Sequence, residues 1–350
     1  MKATYKKYIL NFKRPSGTSR GVMTEKETWF LILENQGKQG IGECGILRGL
    51  SVDDRNDYEE KLQWLCQNIH LDKTVLLHQL MEFPSLQFGL EQALISLEAV
   101  DTFELFPSRF TSEEAPITIN GLIWMGDETY MLEQLHQKLE QGFNCIKMKI
   151  GAIEFKKEIA ILESIRKEFS KDQIELRVDA NGAFDPKEAL QKLDMLHSFQ
   201  LHSIEQPIKA GQWQEMANIC NRSKLPIALD EELIGIFNVT EKEQLLQTIN
   251  PHFIILKPSL VGGFMGSEQW IEIAETNGIG WWITSALESN IGLNAIAQWT
   301  YTLETIMPQG LGTGSLFTNN FESPLEVSNG KLFYRNQKEW KSKLIQDLCI

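Results

Sequence analysis

Positive charge is scarce in this sequence. Its 350 residues include 34 lysines and arginines against 47 aspartates and glutamates, which gives a formal net charge of -13 at pH 7. An acidic surface argues against nucleic acid and anionic membranes as partners. It does not exclude an anionic substrate, because a pocket can be locally basic inside an acidic protein. Small molecules, and a second copy of the chain in a homo-oligomer, remain as expected partners.

Several signatures of other protein classes are also missing. The five cysteines are scattered and include no C-x-x-C pair, which predicts reduced, mostly buried thiols in a cytoplasmic protein. The N-terminal residues MKATYKKYILNFKRP lack the apolar core of a secretion signal, and no segment has the apolar length that spans a bilayer. The chain holds no G-x-x-x-x-G-K-[ST] motif, so a P-loop is not indicated.

The first part of the chain, residues 1–105, does not show the regular alternation of strand and helix patterns that βα units have. It is predicted to form a separate α+β capping domain. The alternating and helical patterns predict two antiparallel strands, a mobile glycine- and serine-rich loop, a second glycine-rich loop and two helices. The strands are predicted over residues 5–12 and 28–34, and the helices over residues 52–69 and 88–100. The mobile loop covers residues 13–24, and the second glycine-rich loop covers residues 40–50.

From residue 106 to residue 315, short apolar runs alternate with amphipathic stretches. The runs cover residues 117–123, 145–150, 174–181, 203–207, 227–231, 253–258, 280–286 and, more weakly, 310–313. Helical patterns between them include residues 128–141, 154–169, 186–197 and 266–276. About eight βα units in sequence predict an α/β fold, a modified TIM (β/α) barrel, with a doubly wound open sheet as the alternative. Residues 316–350 are then expected to pack back on the first domain.

A pair of lysines lies in the second of these runs, CIKMKIG at residues 145–151. The alternation of a β-strand puts Lys147 and Lys149 on one face and the apolar side chains on the other. Two neighbouring ammonium groups are costly to bury unless anions meet them, and each disfavours protonation of the other, so the pKa of one should fall. Such a lysine is suited to abstracting a proton. Two solvated lysines on an edge strand are the alternative.

Polar side chains end the following runs at a regular interval. From Lys149 the successive steps are 30, 26, 25, 27 and 28 residues, to Asp179, Glu205, Asp230, Lys257 and Ser285. An interval of about one βα unit places these side chains at the C-terminal ends of successive strands. In a (β/α) barrel, active sites lie at that end.

The three acids among these residues predict a metal site. If residues 117–123 form the first strand, Asp179, Glu205 and Asp230 lie on strands three to five, between Lys149 and Lys257 on opposite sides of the ring. Converging carboxylates need a cation, and oxygen ligands select a hard one, Mg²⁺ or alternatively Mn²⁺. Glu231 directly follows Asp230, and because adjacent strand residues point to opposite faces, only one of the two is expected to be a ligand; the spacing does not select between them.

These motifs together resemble the enolase superfamily, in particular its muconate-lactonising-enzyme-like subgroup. The resemblance lies in K-M-K at 147–149, D-A-N at 179–181, E-Q-P at 205–207, D-E at 230–231 and K-P at 257–258. It covers nearly the whole chain and implies a capping domain that precedes a modified barrel. It also selects Asp230 as the third metal ligand. Within the subgroup, S-A-L-E-S at 285–289 and G-L-G-T at 310–313 are similar to the o-succinylbenzoate synthase family of menaquinone biosynthesis.

The resemblance implies a Mg²⁺-dependent loss of water from 2-succinyl-6-hydroxy-2,4-cyclohexadiene-1-carboxylate, which makes the protein a carbon–oxygen lyase. Lys149 would be the base and Lys257 the cation on the other face of the substrate. The implied substrate-binding residues are Lys147, Asn181, Ser285, Gly312 and Thr313.

Two other functions remain open. An N-succinylamino-acid racemase of the same subgroup would use Lys149 and Lys257 as opposed acid and base, and the sequence does not separate it from a synthase. A non-catalytic binding barrel would be expected to have lost at least one of the charged groups, and none is lost. A dipeptide epimerase would be expected to carry Asp-x-Asp on strand eight, where residues 312–314 read G-T-G.

Overall fold

The structure is a computed structural model that describes residues 1–18, 21–124, 126, 128–151 and 153–348. It begins with an antiparallel sheet in the order β1-β2-β3, followed by three helices. These elements are β1 (Lys2–Thr18), β2 (Gly21–Asn35), β3 (Lys38–Gly45), α1 (Tyr58–Gln67), α2 (Lys73–Gln79) and α3 (Pro84–Glu98). The sheet packs on α3 so closely that a Cβ at Gly42 would lie 1.9 Å from the backbone oxygen of Gly89.

Both loop predictions for this region are wrong over much of their length. Strand β1 continues to Thr18 and β2 starts at Gly21, so the described part of residues 13–24 belongs to a long hairpin; residues 19 and 20 lie outside the described residues. The pairing shifts between Asn11 and Ser16, and the ladder continues beyond that irregularity.

Residues 40–45, GIGECG, form most of β3. Their glycines match the G-x-G-x-x-G pattern of dinucleotide-binding turns, but here they lie in an antiparallel strand against α3. The helix predicted over residues 52–69 begins only at Tyr58.

Seven parallel strands form one curved sheet in consecutive chain order. They are β5 (Gly121–Ile123), β6 (Cys145–Lys149), β7 (Glu175–Asp179), β8 (Ser203–Glu205), β9 (Ile227–Leu229), β10 (Phe253–Leu256) and β11 (Gly280–Ile283). Bridges from Gln309 to Ile119 and from Gly310 to Thr284 connect the two edges, so an eighth short segment closes the ring. The (β/α) barrel prediction is confirmed, and the doubly wound sheet is wrong because the strand order never reverses.

Helices cover the outside of this barrel. They are α5 (Glu128–Glu140), α6 (Phe155–Glu168), α7 (Pro186–His197), α8 (Trp213–Arg222), α9 (Val239–Ile249), α10 (Pro258–Val261), α11 (Gly263–Thr276) and α12 (Asn290–Thr302), with α4 (Arg109–Ser112) before the barrel. Inside the ring, Ala228, Ile255 and Trp282 form a small apolar cluster. Among the described residues, no helix combines the length and apolar character needed to cross a bilayer.

The C-terminal segment touches both parts of the molecule. Strands β12 (Leu325–Ser328) and β13 (Lys331–Tyr334) form a sheet with β4 (Ile117–Thr118), so the run at residues 117–123 is divided between this sheet and the barrel. Helix α13 (Leu344–Leu348) packs in one apolar cluster with Phe30 and Ile32 of the first sheet. The boundaries of the two domains stay a prediction, although these contacts agree with a tail that folds back.

Four of the five cysteines are described, and each of them is a free thiol; three are buried and Cys66 is partly buried. Cys349 lies outside the described residues.

Candidate active site

The parallel register of β6, β7 and β8 brings the predicted side chains together at the C-terminal end of the barrel. Lys149 lies opposite Asp179, and Asp179 lies opposite Glu205 in the next pair. Asp230 and Lys257 directly follow β9 and β10. Since β6 and β10 are separated by three strands in a ring of eight, Lys149 and Lys257 approach the centre from opposite sides.

Lys147 is surrounded by carboxylates. Its Nζ lies 3.1 Å from Asp179 Oδ2 and also contacts Glu205 Oε2. Burial alone would lower the pKa of Lys147, but Asp179, Glu205 and Asp230 together raise it above the ordinary lysine value. The fall in pKa expected for one of the paired lysines does not occur at Lys147, because three anions outweigh the effect of burial.

Lys149 contacts the last residue of strand β7 and the residue two positions after it. Its Nζ lies 3.1 Å from Asp179 Oδ2 and donates to Asn181 Oδ1 at 2.6 Å. The φ of Asn181 is 43°, in the left-handed region that Asn adopts more readily than most residues, and this turns its side chain towards the lysine. The Asn181 amide in turn donates to Glu231 Oε1 at 3.0 Å.

Lys257 contacts Asp230 Oδ2 on the other side of the site. Burial would lower the pKa of Lys257, but Asp230, Glu205 and Glu231 raise it. The geometry after β9 differs from the strand alternation assumed for the D-E pair, whereas the expectation that only one of the two residues binds a metal stays a prediction. The strand ends at Leu229, and Asp230 leaves it with φ -126° and ψ -79° into a short 3-10 turn, so that Glu231 reaches the site as well.

The three predicted metal ligands differ in how their charges are balanced. Burial raises the pKa of Asp179, but Lys147, Lys149 and Lys257 bring it well below its usual range. For Glu205, burial and the neighbouring Asp179 hold the pKa well above its usual value despite Lys147. Glu205 Oε1 is buried and has no hydrogen-bond partner among the described residues.

As the side chains stand, no three acidic, histidine or cysteine groups in the described part of the chain are close enough together to form a metal cluster. The lysines instead lie between the acids and neutralise Asp179 and Asp230.

A cavity of about 380 Å³ opens over this cluster. Eight of the ten predicted site residues line it: Lys147, Lys149, Asp179, Asn181, Lys257, Ser285, Gly312 and Thr313. Glu205 and Asp230 are outside its described lining and contact the lysines that line it. Across the cavity, Ser285 Oγ and Thr313 Oγ1 share a hydrogen bond of 2.6 Å.

Two segments of the N-terminal region complete the cavity. Gly21, Val22 and Met23 come from the hairpin, and Leu47, Arg48 and Leu50 come from the segment after β3. Both lie within the two regions predicted as loops, residues 13–24 and 40–50. The Arg48 guanidinium is held by Glu27 and by Asp54, the latter at 2.6 Å.

Sequence reasoning missed residues that hold the strand ends in place. Gln206 Oε1 accepts from the backbone N–H groups of Asp230 and Glu232, each at 3.2 Å, and so orients the turn after β9. Glu288 accepts from Ser259 Oγ at 2.6 Å and from the N–H of Ala286 at 2.7 Å, and so joins the ends of strands six and seven. The signal available for Glu288 was an acid directly after the apolar pair A-L in S-A-L-E-S.

Sequence reasoning also missed part of the cavity wall. Asn120, Leu122 and Trp124 line the cavity from the first barrel strand, and Lys138 lines it from α5. No motif distinguishes them, because their role depends on where the first and eighth strands meet.

Comparison with known proteins agrees with this architecture. Residues 130–337 match the family model described as Enolase C-terminal domain-like. The o-succinylbenzoate synthase of Desulfotalea psychrophila is 47% identical over 95% of this chain and 98% of that protein. The o-succinylbenzoate synthase of Thermosynechococcus vestitus is 27% identical over 75% of this chain and 77% of that protein.

Solved structures give the same picture. MenC from Desulfotalea psychrophila superposes with a TM-score of 0.86 and 44% identity, covering 95% of this chain and 99% of that one. A dipeptide epimerase from Cytophaga hutchinsonii, complexed with Mg and D-Ala-L-Val, has a TM-score of 0.83 at 19% identity, covering 99% and 97%. At that identity the second similarity concerns the fold alone.

Proposed function

This chain belongs to the Enolase C-terminal domain-like family, and we propose that it acts as an o-succinylbenzoate synthase, converting 2-succinyl-6-hydroxy-2,4-cyclohexadiene-1-carboxylate into 2-succinylbenzoate and water. The observation that carries the proposal is the 47% identity to a synthase over almost the full length of both chains. The arrangement of lysines and acids around the cavity is chemically suited to this reaction.

The three acids at the strand ends offer oxygen ligands for a divalent cation. Glu205 Oε1 is a buried carboxylate oxygen without a hydrogen-bond partner among the described residues, and its neighbours Asp179 and Asp230 present further hard oxygen ligands. We assign Asp179, Glu205 and Asp230 as the residues that would hold Mg²⁺. A bound divalent cation would supply Lewis-acidic positive charge for a substrate carboxylate.

Lys149 is the proposed base. Its Nζ is at the cavity wall and is oriented by two acceptors, Asp179 and Asn181. As a neutral amine it removes the proton from the ring carbon that bears the carboxylate, and as an ammonium it returns a proton to the hydroxyl that leaves the adjacent carbon. One residue on one face of the ring therefore performs both proton transfers, and the loss of water is syn.

Lys147 and Lys257 supply fixed positive charge during this reaction. Their pKa values are raised by the surrounding carboxylates after the opposing effect of burial, so both remain ammonium groups at neutral pH. Lys147 faces the negative charge that develops on the substrate carboxylate, and Lys257 stabilises it from the opposite face. Ser285 and Thr313 contribute a neutral wall to the cavity, which suits an uncharged ring.

A racemase is the second candidate, because Lys149 and Lys257 lie on opposite sides of the cavity as acid–base exchange on two faces requires. The deciding experiment supplies the purified protein and Mg²⁺ with each substrate class. Formation of 2-succinylbenzoate is followed by absorbance, and exchange of the α-proton of both enantiomers of N-succinyl amino acids is followed by NMR in D₂O. Fast dehydration with little exchange supports the synthase. Fast exchange from both enantiomers with poor dehydration would replace it by the racemase.

A further inference from the structure

A second cavity of about 620 Å³ adjoins the active-site cavity. The two share four lining residues: Lys138, Phe143, Gly312 and Ser315. The larger cavity lies outside the barrel wall, between α5, the segment after the eighth strand and strand β12. The shared residues therefore lie where the two cavities meet.

The barrel is incompletely closed where the two cavities meet. Gln309 donates to Thr118 O and accepts from the N–H of Asn120, each at 2.9 Å. Beyond this point, no backbone hydrogen bond joins Gly121–Ile123 to residues 311–313 among the described residues. Gly121 lies at this edge of the first strand, and Gly312 lines both cavities.

Lys138 lies at this opening. A Cβ at Gly121 would lie 3.2 Å from the Lys138 Cγ and Cδ atoms, so the lysine stem covers the glycine. The Nζ lies 5.1 Å from the centre of the Phe143 ring, and its hydrogen bond to Gln141 Oε1 is long, at 3.4 Å. Burial lowers the pKa of Lys138.

Lys138 differs from the other cations around the active-site cavity, because no carboxylate pairs with it in the part of the chain that the structure describes. Arg48 pairs with Glu27 and Asp54, Lys257 pairs with Asp230, and the two lysines of β6 pair with Asp179. Within the described ranges, no carboxylate forms an ion pair with Lys138. A partly buried ammonium group without a counterion is a favourable receptor for an anionic ligand.

We infer that Lys138 binds the second carboxylate of a dicarboxylate substrate, whose flexible chain enters the opening between strands one and eight. This inference rests on the proposed function, which supplies a substrate with one carboxylate on the ring and another at the end of a succinyl chain. The ring carboxylate remains with Lys147 and the acidic cluster, and the succinyl chain lies against Leu122, Phe143 and Gly312.

Calorimetry with the reaction product tests the inference without requiring turnover. Wild type, Lys138→Met and Lys138→Arg are titrated, in the presence of Mg²⁺, with 2-succinylbenzoate and with its analogue in which the terminal carboxylate is an amide. Lys138→Met keeps an apolar stem over Gly121 and removes the charge. Lys157→Met removes an exposed lysine on α6 and serves as the control.

Lys138→Met is expected to weaken binding of 2-succinylbenzoate by roughly tenfold to a hundredfold, with little effect on the amide, because one charge-assisted hydrogen bond is lost. Lys138→Arg should recover part of the affinity, and the control should bind as wild type does. In turnover assays Lys138→Met should raise KM while kcat changes by less than about threefold, since the group acts in binding.

Equal weakening of both ligands would overturn the inference, because it would mean that Lys138 only packs against the wall. Unchanged affinity in Lys138→Met would overturn it too. If wild type binds 2-succinylbenzoate but fails to dehydrate the cyclohexadiene, the proposed function falls, and the difference between acid and amide still decides the role of Lys138. Absence of measurable product binding to wild type would overturn both.

Discussion

Ser289 donates its hydroxyl to Glu43 Oε2 at 2.5 Å, and its backbone N–H donates to Glu43 Oε1 at 2.9 Å. Glu43 lies in strand β3 of the first sheet, and Ser289 is the N-cap of the barrel helix α12. Gly292 N also donates to Glu43 at 2.9 Å. One carboxylate of the N-terminal sheet therefore caps the helix that follows the strand-seven residues of the active site.

Replacement of Glu43 by alanine should destabilise the protein. The change leaves buried donors on Thr28, Ser289 and Gly292 without their acceptor, and the expected loss is about 2–4 kcal/mol. Urea unfolding followed by circular dichroism measures it, with exposed Glu59→Ala on α1 as the control. A loss of stability no greater than in the control would contradict the role of Glu43.

Replacement of Lys149 by arginine should abolish turnover while the fold persists. Arginine keeps the positive charge beside Asp179 but does not deprotonate near neutral pH, so it cannot act as a base. We expect kcat to fall by at least about a thousandfold, with an unchanged circular dichroism spectrum. An active variant would show that another residue is the base.

Replacement of Lys257 by arginine separates the two candidate reactions. In syn dehydration Lys257 needs only its charge, so part of the synthase activity should survive where the guanidinium fits. In racemisation Lys257 must exchange protons with the substrate, and arginine prevents this. Retained dehydration is expected. Loss of both dehydration and α-proton exchange, in a folded variant, would instead indicate that Lys257 transfers protons.

Replacement of Glu205 by glutamine should weaken Mg²⁺ binding by at least roughly tenfold, because it removes the charge of a buried oxygen ligand. Calorimetric titration of the protein with Mg²⁺ alone measures this effect and does not depend on activity. Exposed Glu215→Gln on α8 is the matched control. Wild-type affinity in Glu205→Gln would remove Glu205 from the metal site.

Glu91 should make stability depend on pH. Burial raises the pKa of Glu91 to about 7, even though its carboxylate accepts from the N–H groups of Met265 and Phe264 at the start of α11. The folded state binds this proton more tightly than the unfolded state does, so stability is gained as pH falls from about 7 to 4.5 and is lost as pH rises through that window.

The contribution of Glu91 is isolated by comparison with Glu91→Gln. Relative to this variant, wild type should gain about 2–3 kcal/mol of unfolding free energy between pH 7.5 and pH 4.5. Urea unfolding at a series of pH values measures the difference in unfolding free energy between the two proteins. Other titrating groups such as Asp53 are present in both proteins, so their contributions cancel. A difference that is constant with pH would contradict the shifted titration of Glu91.

Regular elements with strong local signals were predictable from the sequence. Helix α7 occupies Pro186–His197 as predicted, because Asp185 caps it and Pro186 fits its first turn. The β6 strand ends within one residue of its prediction, because residues 146–149 alternate between an apolar and a charged face.

The errors arose where distant contacts determine the local conformation. Glycine in residues 40–45 suggested a loop, yet the small residues are needed because α3 lies against the strand. The run at residues 117–123 was divided because β13, more than two hundred residues later, pairs with its first part. The charge balance of the site was likewise hidden, since spacing predicts which side chains meet but not how lysines distribute themselves among the acids.

The return of the C-terminal segment has a consequence for biosynthesis. Phe30, Ile32 and Ile41 are translated about three hundred residues before their partners Leu344, Ile345 and Leu348. Until the final helix has been translated, this apolar face of the first sheet lacks its native cover. The first sheet should therefore complete its packing only after α13 has been translated, and the nascent chain should present this face to chaperones throughout the synthesis of the barrel.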